Sequence, residues 1–258
     1  MIRRPPRSTL DRSSAASDVY KRQIEKSIEA SLNRLKRESI DLVQLHTPVT
    51  EVNGSFRGSA SHDSLGIEDV LGEKGALEGL LKLKQTGIAR LVGFTGFGDT
   101  AALKKLARTG EFDSIQIYYN ALNPSAGTKV YAHFSDHNYD QLIDDCYAEG
   151  MGILNIRSLA AGAITGNSIG GTTAALSPGS TSSADELRAK TLRESLQISA
   201  SEAVDLSIQY VLENTKVSGI VVGFSEIAHI QQAVSAAGRR LSKSQLSKLN
   251  DLHDRDFS

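Results

Sequence analysis

From Ile24 onward, apolar residues recur with two alternating periods, and the alternation predicts a strand–helix–strand rhythm. Ile24, Ile28, Ser31, Leu32 and Leu35 fall at helical spacing, with Lys and Glu on the opposite face. Ile40–His46 then reads as a strand, followed by a long polar loop to about Gly66. A helix is predicted over Glu68–Thr86, stopped by Gly87, and a strand over Leu91–Thr95. Asp99 is placed to cap a helix Thr100–Arg108 that Gly110 ends, and Ser114–Tyr119 is the next strand. Tyr139–Ala148 reads as a helix closed by Gly150, and Ile153–Ile156 as a strand. A Gly-, Ser- and Thr-rich loop runs to about Ser183, before helical patches at Glu186–Ser195 and Ser201–Glu213, the latter capped by Ser199 or Ser201. Val217–Val222 is a strand, Glu226–Ala237 a helix, and Ser242–His253 a last helix with Leu246 and Leu249 inward.

Five strands result, each short and apolar enough to be buried on both faces, which is the pattern of a parallel sheet covered by helices. A doubly wound sheet and an eightfold barrel share this pattern, and periodicity does not separate them. No repeat of fixed period occurs, which excludes a solenoid. Residues 1–23 follow neither period: the stretch is basic and proline-broken at Arg3–Arg7 and hydroxyl-rich at Ser8–Ser17. An organellar leader would have such a composition, but Asp11 and Asp18 and the lack of an amphipathic face argue against one. The segment resembles a translated sequencing adapter joined to an incomplete gene. It is expected to be a non-native or disordered leader before a domain spanning 24–258.

Composition narrows the partners. The 29 basic and 30 acidic side chains leave a net charge of −1, too little basic excess for a nucleic-acid phosphate backbone. No apolar run approaches the roughly 18 residues needed to cross a bilayer. The single cysteine, Cys146, cannot close an intrachain disulfide and fits a reducing compartment such as the cytoplasm. It lies in a helical stretch with no catalytic histidine nearby in sequence, and reads as a buried structural thiol.

In parallel barrels chemistry gathers at the C-terminal ends of the strands. Here those ends carry His46, Thr95-Gly96, Gln116 with Tyr118-Tyr119-Asn120, Arg157-Ser158 and Gly223. His46 is the acid–base side chain among them; it could polarise a substrate carbonyl, or simply be a histidine satisfied by its own loop. His133 and His137 are four apart, but Ser135, Asp136 and Asn138 mark a loop and no third ligand is evident, so no metal is expected. Gly162 and Gly166 follow the fourth strand, and Gly223-Phe-Ser225 precedes the helix from Glu226. Both turns could offer backbone N–H groups to phosphates, or be merely flexible.

These strand ends resemble the aldo-keto reductase family. Ser27–Leu35 with Ile40–His46 is similar to the helix and strand that deliver that family's catalytic histidine, and Ala76–Gly87 with Ile88–Phe94 to the next unit. Gln116 with Tyr119-Asn120, Gly150–Gly166 and Val221–Gln232 continue the likeness in order. The resemblance implies an α/β fold, a (β/α)8 TIM barrel of which about five of eight units are present. It implies reduction of an aldehyde or ketone, or oxidation of an alcohol or sugar, by NADP or NAD, with NADPH favoured and no metal. Of the family's Asp–Tyr–Lys–His tetrad only His46 has a counterpart, Tyr20 and Lys21 lying in the leader, so the chain as written is expected to be nearly inactive. Thr95, Gly96 and Gln116 match the positions at the nicotinamide amide, and Ile156 the position of a stacking ring. Arg157, Ser158, Leu159 and Gly162 match the pyrophosphate segment. Gly223, Ser225, His229 and Gln232 match the adenosine-phosphate turn, with His229 where an arginine often holds the 2′-phosphate. A small carbonyl or sugar is the implied substrate; the alternative is a fragment that binds a nucleotide or partner without catalysis.

Overall fold

The computed structural model describes residues 15–52, 64–166 and 181–258, with side chains from 21 onward in the first segment. In chain order the elements are α1 (Ala15–Leu35), β1 (Ile40–Leu45), β2 (Val49–Thr50), β3 (Leu65–Gly66), α2 (Ile67–Leu71), α3 (Ala76–Gln85), β4 (Ala89–Gly96) and α4 (Thr100–Ala107). There follow β5 (Ser114–Tyr118), α5 (Leu142–Ala148), β6 (Gly152–Ile156), a 3₁₀ stretch Ala160–Thr165, α6 (Ser182–Leu196), α7 (Ala200–Glu213), β7 (Gly219–Ile220), α8 (Ile227–Ala237) and α9 (Lys243–Asp254).

The main sheet has five parallel strands in the order β1-β4-β5-β6-β7. Parallel neighbours need long crossovers, and helices supply them. The architecture is a TIM-barrel-like α/β fold. Its centre is β4, β5 and β6, where Val92, Phe94, Ile115, Ile117 and Ile153 are fully buried. Phe94 meets Phe112 edge to face at 4.9 Å, and Tyr118 stacks on Tyr139 at 5.7 Å.

Not every strand is buried on both faces. β1 and β7 pair on one side only, and in β1 only Val43 is fully buried. β7 is two residues long and half-buried, shorter than the apolar run Val217–Val222 predicts.

The predicted helix Glu68–Thr86 is two helices. At Gly72 a Cβ would lie 2.4 Å from the Glu68 carbonyl oxygen, so the chain turns there through Gly75, and α3 starts afresh. The polar loop before Gly66 holds a small parallel ladder, Val49–Leu65 and Thr50–Gly66. Asp99 stands at the N-cap of α4 but does not cap it: its Oδ2 accepts from the Glu51 N–H at 2.9 Å, tying the loop after β2 to α4. α5 begins at Leu142, later than expected, because Asp140 and Gln141 take positive φ. α6 extends from Ser182, capped by Thr181, and includes the predicted patch. Ser199, rather than Ser201, caps α7 through a reciprocal capping box with Glu202.

α1 begins at Ala15, upstream of its first regular apolar repeat. Once a helix is nucleated, adding a turn costs little, and the Lys21–Glu78 ion pair at 2.6 Å ties this turn to α3. In α9, Leu249 is buried and Leu246 packs against the core. Cys146 is buried, and burial pushes its thiol up to about 12, far from a reactive thiolate.

Candidate active site

Register brings the expected residues together. Leu45 pairs with Phe94, so the next positions, His46 and Thr95, lie side by side; Thr95 pairs in turn with Gln116. His46 Nδ1 stands 2.7 Å from Thr95 Oγ1, and Thr95 Oγ1 stands 3.4 Å from Gln116 Oε1. The polar row brings together the ends of three strands that lie 49 and 21 residues apart in sequence. Thr95 is fully buried at its centre, and His46 is exposed at the sheet's edge. Gly96 is buried too; a Cβ there would sit 3.0 Å from the Gln116 carbonyl oxygen. A larger residue at 96 would therefore push on β5.

The segment after β6 is tightly held. Ile156 and Ser158 are buried, Leu159 is half-buried and Arg157 is exposed. Arg157 takes φ +59°, and Ala160 and Ala161 are also left-handed, followed by Gly162 at φ +97°. Such a run in non-glycine residues costs on the order of 1 kcal/mol per position and persists only where surroundings impose it. The Arg157 guanidinium forms no ion pair among the described residues, nor do the Ser158 and Leu159 N–H groups have a hydrogen-bond partner among them.

The turn after β7 is looser. Gly223, Ser225 and His229 are all exposed, and the one contact among them is Ser225 Oγ to His229 Nδ1 at 3.4 Å. Gln232 does not join them: its amide nitrogen donates to Ser201 and, at 2.9 Å, to Asp205 Oδ1 on α7.

Among the described residues, His133, His137 and His253 serve the scaffold. His133 Nε2 reaches the Asp254 carbonyl at 3.0 Å, and His137 Nε2 lies 3.1 Å from Thr100 Oγ1, so the two rings face different partners. Burial lowers the pKa of His137 and of His253. Among the described residues no group of three or more His, Cys, Asp or Glu gathers as metal ligands.

Comparison with known proteins settles the family: the Aldo/keto reductase profile matches residues 10–254. The chain belongs to the aldo/keto reductase family. Among solved structures it is similar to an aldo-keto reductase from Bacillus halodurans. The apo and holo forms of that protein each show 20% identity at a TM-score of 0.61, over 90% and 95% of this chain and 69% of theirs. It is also similar to a glycerol dehydrogenase from Gluconobacter oxydans, at 18% identity and a TM-score of 0.59, over 92% of this chain and 65% of that one. No individually curated protein matches. Members of this family are NAD(P)H-dependent oxidoreductases of small carbonyl compounds, and membership makes the chain an oxidoreductase-family protein.

Two features of this aldo/keto reductase chain escape motif reading. The first is Asp185 on α6, fully buried, with neither oxygen hydrogen-bonded. Burial, and then the nearby Asp136 carboxylate, push it up to about 7, against the opposing pull of Arg188. Tyr118 and Tyr139, also buried with unpartnered hydroxyls, are raised chiefly by burial. The second is a set of buried side chains behind the β6 turn. Asn120 Nδ2 donates to the Arg157 carbonyl at 2.9 Å, Asn155 Nδ2 to the Tyr119 carbonyl at 2.6 Å, and Ser207 Oγ to the Ser158 carbonyl at 2.6 Å. Asn120 was findable as a strand-end residue; nothing in the sequence marks Ser207.

Proposed function

We propose that residues 24–258 are the cofactor-binding part of an aldehyde or ketone reductase, working in the reverse direction on alcohols or sugars, with NADPH favoured over NADH. Of the leader expected over 1–23, residues 15–23 belong to α1 and residues 1–14 lie outside the described residues. The observation that carries this reading is the His46–Thr95–Gln116 row at the C-terminal strand ends. The residues fit a nicotinamide dinucleotide: a hydroxyl at Thr95 and an amide at Gln116 for the carboxamide, apolar Ile156 paired with Tyr118 on the next strand, and N–H groups of Ser158 and Leu159 and the Arg157 guanidinium, without partners among the described residues, for the pyrophosphate. When bound, the reduced nicotinamide would supply hydride.

The Thr95 hydroxyl donates to Gln116 Oε1 at 3.4 Å, and its 2.7 Å contact with His46 Nδ1 orients the imidazole, with donor and acceptor set by the ring's tautomer. With Nε2 protonated, His46 donates to a carbonyl oxygen and polarises it for attack. A second acid is needed to protonate that oxygen, and among the described residues no tyrosine next to the row supplies it. Tyr118 is stacked under Tyr139, and Tyr119 packs on Tyr210 with burial raising its pKa. Lacking a counterpart for the family's Asp, Tyr and Lys, this chain binds cofactor and is nearly inactive. The reduced, buried Cys146 is compatible with a cytoplasmic setting.

The test is fluorescence titration of the 258-residue chain with NADPH, followed by carbonyl-dependent NADPH oxidation with a simple aromatic aldehyde. Saturable binding with turnover at background is the expected pair of results. Absence of NADPH binding would overturn the cofactor reading, and robust turnover would overturn the claim of catalytic incompleteness.

A further inference from the structure

We propose that Asn120 and Ser207 are positioning residues that shape the turn after β6 into an anion cradle. The inference rests on the cofactor reading above and adds residues that do not themselves touch the cofactor.

Consecutive carbonyl oxygens in this turn all point into protein. The Arg157 oxygen accepts from Asn120 Nδ2 and from the Ala160 N–H, each at 2.9 Å. The Ser158 oxygen accepts from Ser207 Oγ at 2.6 Å, and the Leu159 oxygen from the Gly162 N–H at 2.9 Å. Farther along, Arg193 Nη1 donates to the Ile164 carbonyl at 3.1 Å. With the carbonyls fixed inward, the Ser158 and Leu159 N–H groups have no hydrogen-bond partner among the described residues, although Ser158 is almost wholly buried. A buried N–H without an acceptor is rare and costly, and an anion's oxygens would relieve it.

The two anchors come from different elements. Asn120 follows β5, and its Oδ1 is occupied by the Leu122 and Asn123 N–H groups at 2.9 and 3.0 Å; this fixes the amide so that Nδ2 can only face Arg157. Ser207 lies on α7, fully buried, one turn behind the cradle. Without the Asn120 bond the Arg157 carbonyl keeps only the Ala160 N–H, and the left-handed Arg157 at φ +59° loses one of its two restraints, loosening its guanidinium and the Ser158 N–H. The anchors hold successive carbonyls, Asn120 that of Arg157 and Ser207 that of Ser158.

Two substitutions separate positioning from bulk stability. Asn120→Asp keeps the Oδ1 acceptor of the turn but sets a carboxylate oxygen against the Arg157 carbonyl, so Asn120→Ala, which removes the donor without adding a charge, is measured beside it. Ser207→Ala removes the hydroxyl, and Ser207→Thr restores it. The readouts are the NADPH dissociation constant and hydrogen–deuterium exchange resolved by segment, on the full 258-residue chain. Each loss variant is expected to weaken NADPH about tenfold, the scale of one buried hydrogen bond, with faster exchange confined to residues 157–163. Ser207→Thr is expected to regain both. Faster exchange at 157–163 with unchanged NADPH affinity would overturn the inference while leaving the cofactor reading intact. Faster exchange throughout the chain would overturn it in favour of a purely structural role. Failure of the unaltered chain to bind NADPH would overturn the cofactor reading and this inference with it.

Discussion

After β6 the chain turns against side chains that are themselves buried: Asn120 and Ser207 hold its carbonyls, and three non-glycine residues stay left-handed as a result. After β7 the same kind of turn is built almost entirely from exposed residues, with one 3.4 Å contact between Ser225 and His229. The helix that follows differs as well. α8 presents Ile227 at 75% exposure and Val234 at 69%, whereas the strands before the first turn bury Phe94, Ile115 and Ile153 completely. The β6 turn inherits its shape from the packed centre of the sheet; the β7 turn hangs on a two-residue edge strand. Buried packing is concentrated on the β4–β6 side, and on the cofactor reading proposed above most of the affinity for a dinucleotide resides there too.

The sharpest way to break this contrast is to weaken each region by one side chain. Phe94→Ala is expected to cost about 3–5 kcal/mol, because it empties a fully buried ring site packed on Phe112. Ile227→Ala, at an exposed position, is expected to stay within about 0.5 kcal/mol. Urea unfolding monitored by circular dichroism measures both, and similar losses at the two sites would abolish the distinction.

Asp185 tests the same packed side by pH. Its carboxyl rises from 3.8 to about 7 on folding, so between those values the folded state holds a proton that the unfolded state has released. Stability therefore falls as pH rises through this window, and the penalty is fully present above pH 7. Asp185→Asn removes the penalty and is expected to stabilise the chain at pH 8 by up to about 4 kcal/mol, fading toward zero near pH 4. Parallel stability–pH curves for the two proteins would refute the assignment.

What could be read from the sequence follows from which forces are local. His46, Thr95 and Gln116 were legible because a strand end is marked by its own apolar run, and parallel register then aligns the ends. The break at Gly72–Gly75 was not, since Ile67, Val70, Leu80 and Leu83 keep helical spacing on both sides of it. Nothing local marks Asp185 as buried; its charge environment is set by Asp136 and by Arg188, which bridges Asp136 and Asp256 at 3.3 and 3.0 Å, long-range contacts no window contains.

Within the site, Thr95→Val is expected to weaken NADPH about five- to tenfold. The hydroxyl lost is buried and bridges His46 and Gln116, so both side chains lose their fixed orientation. Fluorescence titration checks it, and an unchanged dissociation constant would place the cofactor's amide elsewhere.

The smallest effect is expected at the loose turn. His229→Arg puts a permanent cation where the family often has one, but on an exposed helix whose N-cap is the carboxylate-bearing Glu226. A surface ion pair contributes about 0.2–1 kcal/mol, so NADPH should gain roughly two- to fivefold over NADH, and the gain should fade in high salt. NADH itself has no 2′-phosphate to feel the new charge and should bind as before. A gain of a hundredfold would mean that the β7 turn closes around its ligand and becomes as rigid as the β6 turn; no gain at all would mean that it never contacts the phosphate. The measured ratio thus reports directly how much of the binding energy resides on the edge rather than in the packed centre.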